Sequence, residues 1–156
     1  MSETLTAPRI VIAVGLPGSG KSTWFAGQGV TPLSSDQMRV LLSGAEDNQR
    51  IHQEVFEGIR ALLELRLRIE QPVSYVDATH LKRVHRAPYF ELAERYGAAV
   101  EALWFDVPLA TCLIRNRARN RQVPPKALEA MAAGAEPPSA DEGFSQITRV
   151  VPEARR

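Results

Sequence analysis

The sequence predicts an α/β domain: a parallel sheet of about five strands with helices on both faces. Three observations lead there. Ile10 to Val14 is a continuous apolar run, the pattern of a strand buried on both faces. Short apolar runs then alternate with stretches of three- and four-residue apolar spacing, which gives crossover units and a parallel sheet. Gly15, Asp36 and Asp77, far apart in sequence, all fall at strand ends, the edge where such sheets hold ligands.

The first strand, Ile10 to Val14, is bounded by Pro8 and Gly15. Lys21 to Gln28 carries helix formers between glycines, and a weak second strand from Thr31 to Ser34 leads into Asp36 at a strand-to-helix junction. From Asp47 to Gln71, Ile51, Val55, Phe56, Ile59, Leu62, Leu63 and Ile69 recur at helical spacing, and Pro72 ends the helix. Val73 to Val76 is a third strand closing on Asp77, Arg83 to Tyr96 a helix stopped by Gly97, and Ala99 to Phe105 a fourth strand. A helix follows from Leu109. Beyond the alternating arginines, an Ala-rich helix runs to about Ala133, Gly134 to Gly143 reads as a loop, and Ile147 to Val151 as a fifth strand. The tail, about 152–156, is expected to fray.

With 156 residues and 44% hydrophobic content, one domain over 1–156 is expected. The formal charge of +1 advertises neither a nucleic-acid nor a membrane binder, so any basic site must be local. All cations except Lys21, Lys82 and Lys126 are arginines, whose planar forks suit phosphate oxygens. Cys112, the single cysteine, excludes an intrachain disulfide and reads as core. Neither a signal peptide nor a membrane span is apparent, which makes a cytoplasmic setting the expectation.

The chemistry starts at Gly15-Leu16-Pro17-Gly18-Ser19-Gly20-Lys21-Ser22, a phosphate-loop pattern complete at every constrained position and followed by Thr23. Its glycines let successive N–H groups turn toward phosphate oxygens. Lys21 is placed to meet the β- and γ-phosphates of ATP, and the Ser22 hydroxyl to meet Mg²⁺. A P-loop NTPase fold is the consequence. Asp36 and Arg39 share one helix face: a carboxylate that can deprotonate an attacking hydroxyl, and a fork that can hold a phosphate on the acceptor. Asp36 can equally be a helix N-cap. Asp77 ends a strand, where a second carboxylate serves either the metal's water shell or a substrate group, with Thr79 and His80 on the same loop. For His80 a solvated loop histidine or a helix cap is the plainer reading. If the segment is helical, Arg115 pairs with Arg119 and Arg117 with Arg121. A solvated helix end would explain them, and so would an arginine lid over about 115–134.

Together the motifs resemble the 5′-polynucleotide kinase family of phosphate-loop phosphotransferases, the AAA_33-like P-loop kinases. The resemblance covers nearly the whole chain: G-L-P-G-S-G-K-S-T-W at 15–24, S-S-D-Q-M-R at 34–39, V-D-A-T-H-L at 76–81, and F-D-V-P followed by R-N-R-A-R-N-R-Q-V-P within 105–124. It implies ATP and Mg²⁺ at Lys21 and Ser22, Asp36 as general base, and Arg39 gripping the acceptor phosphate. It also implies Asp77, Thr79 and His80 around the acceptor, and Arg115 and Arg119 as lid arginines. Many relatives carry asparagine where His80 stands. No phosphatase, ligase or other repair domain fits this chain, which resembles a kinase module alone.

The expected function is transfer of the ATP γ-phosphate to the 5′-OH end of DNA or RNA. Phosphorylation of a small hydroxyl compound or nucleoside is the first alternative, and an ATP-binding switch without a separate acceptor the second. DNA against RNA and oligomeric state stay open.

Overall fold

The computed structural model describes residues 6–45, 48–120 and 122–151. The frayed tail expected at 152–156 and the pairing of Arg121 lie outside the described residues. Five strands form one parallel sheet: β1 (Arg9–Val14), β2 (Leu33–Ser34), β3 (Val73–Asp77), β4 (Ala99–Phe105) and β5 (Gln146–Val150), in the order β2-β3-β1-β4-β5. Central β1 sends Ile10, Ile12 and Val14 to one face and Val11 and Ala13 to the other, so its unbroken apolar run is the mark of burial on both sides.

Two helices cover the first face. Helix α3 (His52–Arg68) lays down Val55, Ile59, Leu63 and Leu67 every fourth residue, and α4 (Arg83–Tyr96) adds Tyr89, Leu92 and Ala93. On the other face α1 (Lys21–Gly27) packs Phe25 against Leu103 and Phe105. Helix α2 (Ser35–Ser43) lies on α3 where Gly58 leaves room for Met38: a Cβ at Gly58 would meet its Sδ at 2.9 Å. Helices α5 (Leu109–Arg117) and α6 (Pro125–Gly134) bring Cys112 and Leu128 against Leu16 and Leu81.

The differences from the expected boundaries have local causes. Helix α3 begins at His52 because the Asn48 side chain accepts a hydrogen bond from the Arg50 N–H, turning the chain just before it. It ends at Arg68 because Glu70 takes a left-handed φ of 63° ahead of Pro72. Ile69, at helical spacing, is 67% exposed. Within the expected loop 134–143 a short 3₁₀ turn, Ala140–Glu142, is closed by a capping box between Ser139 and Glu142. That loop is fixed to α4 by Arg86, which is fully buried. Its guanidinium makes a two-pronged ion pair with Glu142, at 2.8 and 3.0 Å, and also donates to the carbonyls of His80 and Glu136. Among the described residues no helix is long and apolar enough to cross a membrane.

Candidate active site

The loop between β1 and α1 is held from both sides. The Gly15 N–H donates to the Thr79 carbonyl at 3.0 Å, and the Ser19 N–H to the Leu16 carbonyl at 3.1 Å. Gly18 and Gly20 have φ of 83° and 96°, and a Cβ at Gly18 would come within 2.9 Å of the Cys112 carbonyl oxygen. Both positions therefore require glycine. Pro17 is half-buried, and Ser22 and Thr23 are exposed in the first turn of α1. Lys21 is buried, and its ammonium donates to the Gly15 and Leu16 carbonyls at 3.1 and 2.9 Å. Burial lowers its pKa to about 8 against the opposing pull of Asp77. The Ser19 hydroxyl is fully buried with no hydrogen-bond partner among the described residues. A glycine cradle, an orphaned hydroxyl and a partly destabilised cation together fit the phosphates of ATP.

Ser22 donates through Oγ to Asp77 Oδ2 at 2.8 Å. Burial pushes the Asp77 carboxyl above its usual range, opposed by Lys21 and by the Ser22 bond. Mg²⁺ is commonly held by one or two protein oxygens together with substrate phosphates. Ser22 and Asp77 supply such a pair, and among the described residues no group of three or more His, Cys, Asp or Glu forms a metal cage.

Asp36 and Arg39 lie on α2 as an i,i+3 pair, Arg39 Nη1 to Asp36 Oδ1 at 3.4 Å. The N-cap is Ser34, whose hydroxyl accepts from the Gln37 N–H at 3.3 Å, so Asp36 is not spent on capping. Its charge reaches both Lys21 and Asp77, drawing the base candidate into the same electrostatic site. Sequence reasoning missed His52. Its Nδ1 lies 3.2 Å from Arg39 Nη2, and its pKa is lowered by burial and by Arg39. No motif marks it, since the contact crosses a turn.

The arginines divide. Half-buried Arg115 donates to the Gly18 carbonyl at 3.4 Å, and half-buried Arg119 exerts its charge on Lys21 and Asp77, whereas Arg117 is exposed. Helix α5 stops at Arg117, so Arg115 and Arg119 do not meet along a helix face as expected. A side-chain clasp turns the chain back instead: buried Asn116 donates to the Val123 carbonyl at 2.6 Å and accepts from the Val123 N–H at 2.9 Å.

His80 corrects two expectations. Only 2% exposed, it is neither a solvated loop residue nor an acceptor contact in this structure, because both ring nitrogens are engaged: Nδ1 with the Ala13 carbonyl at 2.6 Å, Nε2 with the Tyr89 hydroxyl at 2.8 Å. Burial lowers its pKa to about 4. Its φ of 44° is left-handed, a conformation in which histidine, like asparagine and aspartate, is found more often than most residues. Half-buried Thr79 contributes its carbonyl to Gly15.

A cavity of about 290 Å³ adjoins the loop, lined by Gly15, Leu16, Leu81, Val107, Ala135 and Pro137 among others.

Comparison with known proteins places this geometry. The AAA domain family matches residues 10–138. No curated protein matches the sequence at a significant level. A chain of the Pnkp1/Rnl/Hen1 RNA repair complex is 20% identical with a TM-score of 0.69, the match covering 84% of this chain and 45% of that one. This chain thus spans less than half of that relative's length. A gluconokinase from Sinorhizobium meliloti 1021 is 19% identical, TM-score 0.61, over 92% of this chain and 82% of its own. The Mycobacterium tuberculosis APS kinase CysC, solved with AMPPNP and APS, is 20% identical, TM-score 0.59, over 97% and 92%. Sequence and fold agree: this chain belongs to the AAA domain family, AAA_33, and has the fold of the P-loop kinases it resembles.

Proposed function

We propose that the protein transfers the γ-phosphate of ATP to the 5′-OH end of a polynucleotide, in a cytoplasmic setting. The observation that carries this reading is the Asp36–Arg39 pair, at 3.4 Å, at the N-terminal end of α2, where the Asp36 charge reaches Lys21 of the phosphate loop. A carboxylate there can take the proton of an attacking hydroxyl, and the guanidinium can hold the phosphate next to that hydroxyl.

In the reaction the 5′-oxygen forms a bond to the γ-phosphorus, the bond from that phosphorus to the β,γ-bridging oxygen breaks, and the hydroxyl proton passes to Asp36, leaving ADP. Lys21 exchanges its two backbone carbonyl partners for phosphate oxygens. Arg115 and Arg119 offset charge on the transferred group. Ser22 and Asp77 would hold Mg²⁺, which would supply charge neutralisation on the phosphate oxygens. Asp77 thereby serves the donor side, and of the expected acceptor residues Arg39 and Thr79 remain.

Incubation with γ-labelled ATP and a 5′-OH oligonucleotide tests the reading: label should appear on the oligonucleotide with one ADP per phosphate transferred. ATP-binding protein that labels no oligonucleotide end refutes it. A small hydroxyl acceptor is the second reading, favoured by the near end-to-end match to gluconokinase and APS kinase. Salt separates the two, because an acceptor gripped through several phosphates loses affinity steeply as salt rises and a small one with little or no charge much less.

A further inference from the structure

Arg39 is gripped from two sides, Nη1 at Asp36 and Nη2 at His52 Nδ1. A guanidinium only donates hydrogen bonds, so Nδ1 must accept, and the proton of the neutral imidazole sits on Nε2. The contact exists only while His52 is uncharged. The ring is braced on Phe56, centroids 5.0 Å apart, and stands at the N-terminus of α3, itself exposed while the side chain of Arg39 is only 7% exposed.

We propose that neutral His52 is a positioning residue for Arg39, aiming its fork at the acceptor phosphate, and that protonation of His52 releases the fork and weakens acceptor binding. This rests on the acceptor role of Arg39 proposed above. The charged and titratable groups that face His52 include Arg39 from α2, with Asp36 on the far side of that guanidinium, and His85 from α4, while His80 lies behind Phe56. Arg39 and burial both oppose the imidazolium, in keeping with a neutral ring at pH 7. An imidazolium would bring a second cation near the acceptor. The ring is partly desolvated where it meets Arg39 but open to solvent elsewhere, so that charge is partly screened, whereas the aimed guanidinium it displaces makes a charge-assisted bond, and the net effect is loss.

Kinetics with a 5′-OH oligonucleotide and ATP, from pH 8 down to 5.5, read this out. Acceptor KM should rise several-fold as pH falls through the histidine range while ATP KM stays level. His52→Asn, whose amide oxygen can accept at the place of Nδ1 and does not titrate, should keep a low acceptor KM and flatten that rise. His52→Phe keeps the ring on Phe56 but not the acceptor, and should raise acceptor KM about ten-fold at every pH with kcat much less affected. An unchanged acceptor KM in His52→Phe, a wild-type pH profile in His52→Asn, or a KM that falls with acid overturns the proposal. Nitrogen NMR of His52 reads the coupling without any acceptor. The Nε2–H tautomer, with a pKa that rises in Arg39→Gln, is expected, and an Nδ1–H tautomer or an unmoved pKa overturns the proposal. A protein with the expected NMR result that labels no oligonucleotide end refutes the polynucleotide reading, and with it the acceptor-aiming role, while leaving the Arg39–His52 contact established.

Discussion

Ser22 and Asp77, 55 positions apart in the chain, share a 2.8 Å hydrogen bond that joins the start of α1 to the end of β3. The bond places a carboxylate whose ionisation is opposed by burial at the mouth of the phosphate loop.

Asp77→Asn should therefore separate stability from activity. The folded state raises the Asp77 pKa, so ionising it at neutral pH costs stability, and an uncharged isostere removes that cost. The variant should melt no lower than the wild type without ligand. Its Mg²⁺ requirement should rise by about an order of magnitude or more and its turnover fall about 10²-fold. Calorimetry and a Mg²⁺ titration of the rate check both halves.

Lys21 links ATP binding to proton uptake. Its pKa of about 8 in the free protein is lowered by burial, and phosphate oxygens in contact raise it. ATP affinity should be level below pH 8 and decline above it, approaching ten-fold per pH unit while the bound pKa stays higher. Titration calorimetry in buffers of different ionisation heat should show up to one proton taken up per ATP near pH 8.5, and none in Lys21→Met.

His80 sets an acid limit on the fold. Its folded pKa, about 4, lies below the unfolded value near 6.5, so the neutral buried ring contributes stability above pH 6.5 that is lost as pH falls toward 4. The loss is on the order of 3 kcal/mol at most. Urea unfolding across this range should show the slope in the wild type and a shallower one in His80→Asn.

Asn116 closes the turn that carries Arg119. In Asn116→Leu both backbone groups of Val123 lose their partner. Trypsin should then cut after Arg117 or Arg119 about ten-fold faster, and phosphate transfer should slow by a similar factor. Wild-type cleavage rates in the variant would show that the clasp does not hold the turn.

Much of the scaffold was legible. The two-sided burial of β1 shows as an uninterrupted apolar run, and Gly97 ends α4 with a φ of 64° where the sequence placed the stop. Strand order was not, since periodicity reports which face a residue takes and not which strand lies beside it. The extent of α3 was overestimated because Ile69 keeps helical spacing after the backbone has turned. In the site, the phosphate loop and the Asp36–Arg39 pair are local patterns and were readable. The His52–Arg39 contact and the burial of His80 under Tyr89 depend on how α2, α3 and α4 pack, which residue spacing does not encode.

The tight seat of Gly18 on the Cys112 carbonyl has a mechanical consequence. With no room for even a methyl group between them, α5 cannot press closer to the phosphate loop, and the Arg115 bond to the Gly18 carbonyl resists its leaving, so a lid movement that spares the loop pivots beyond Cys112, toward the Asn116 clasp. Arg115, ahead of that clasp, would travel little, and Arg119, beyond it, would sweep. Grafting a foreign lid onto this protein would then succeed at a junction after Asn116 and fail at one within the first turn of α5.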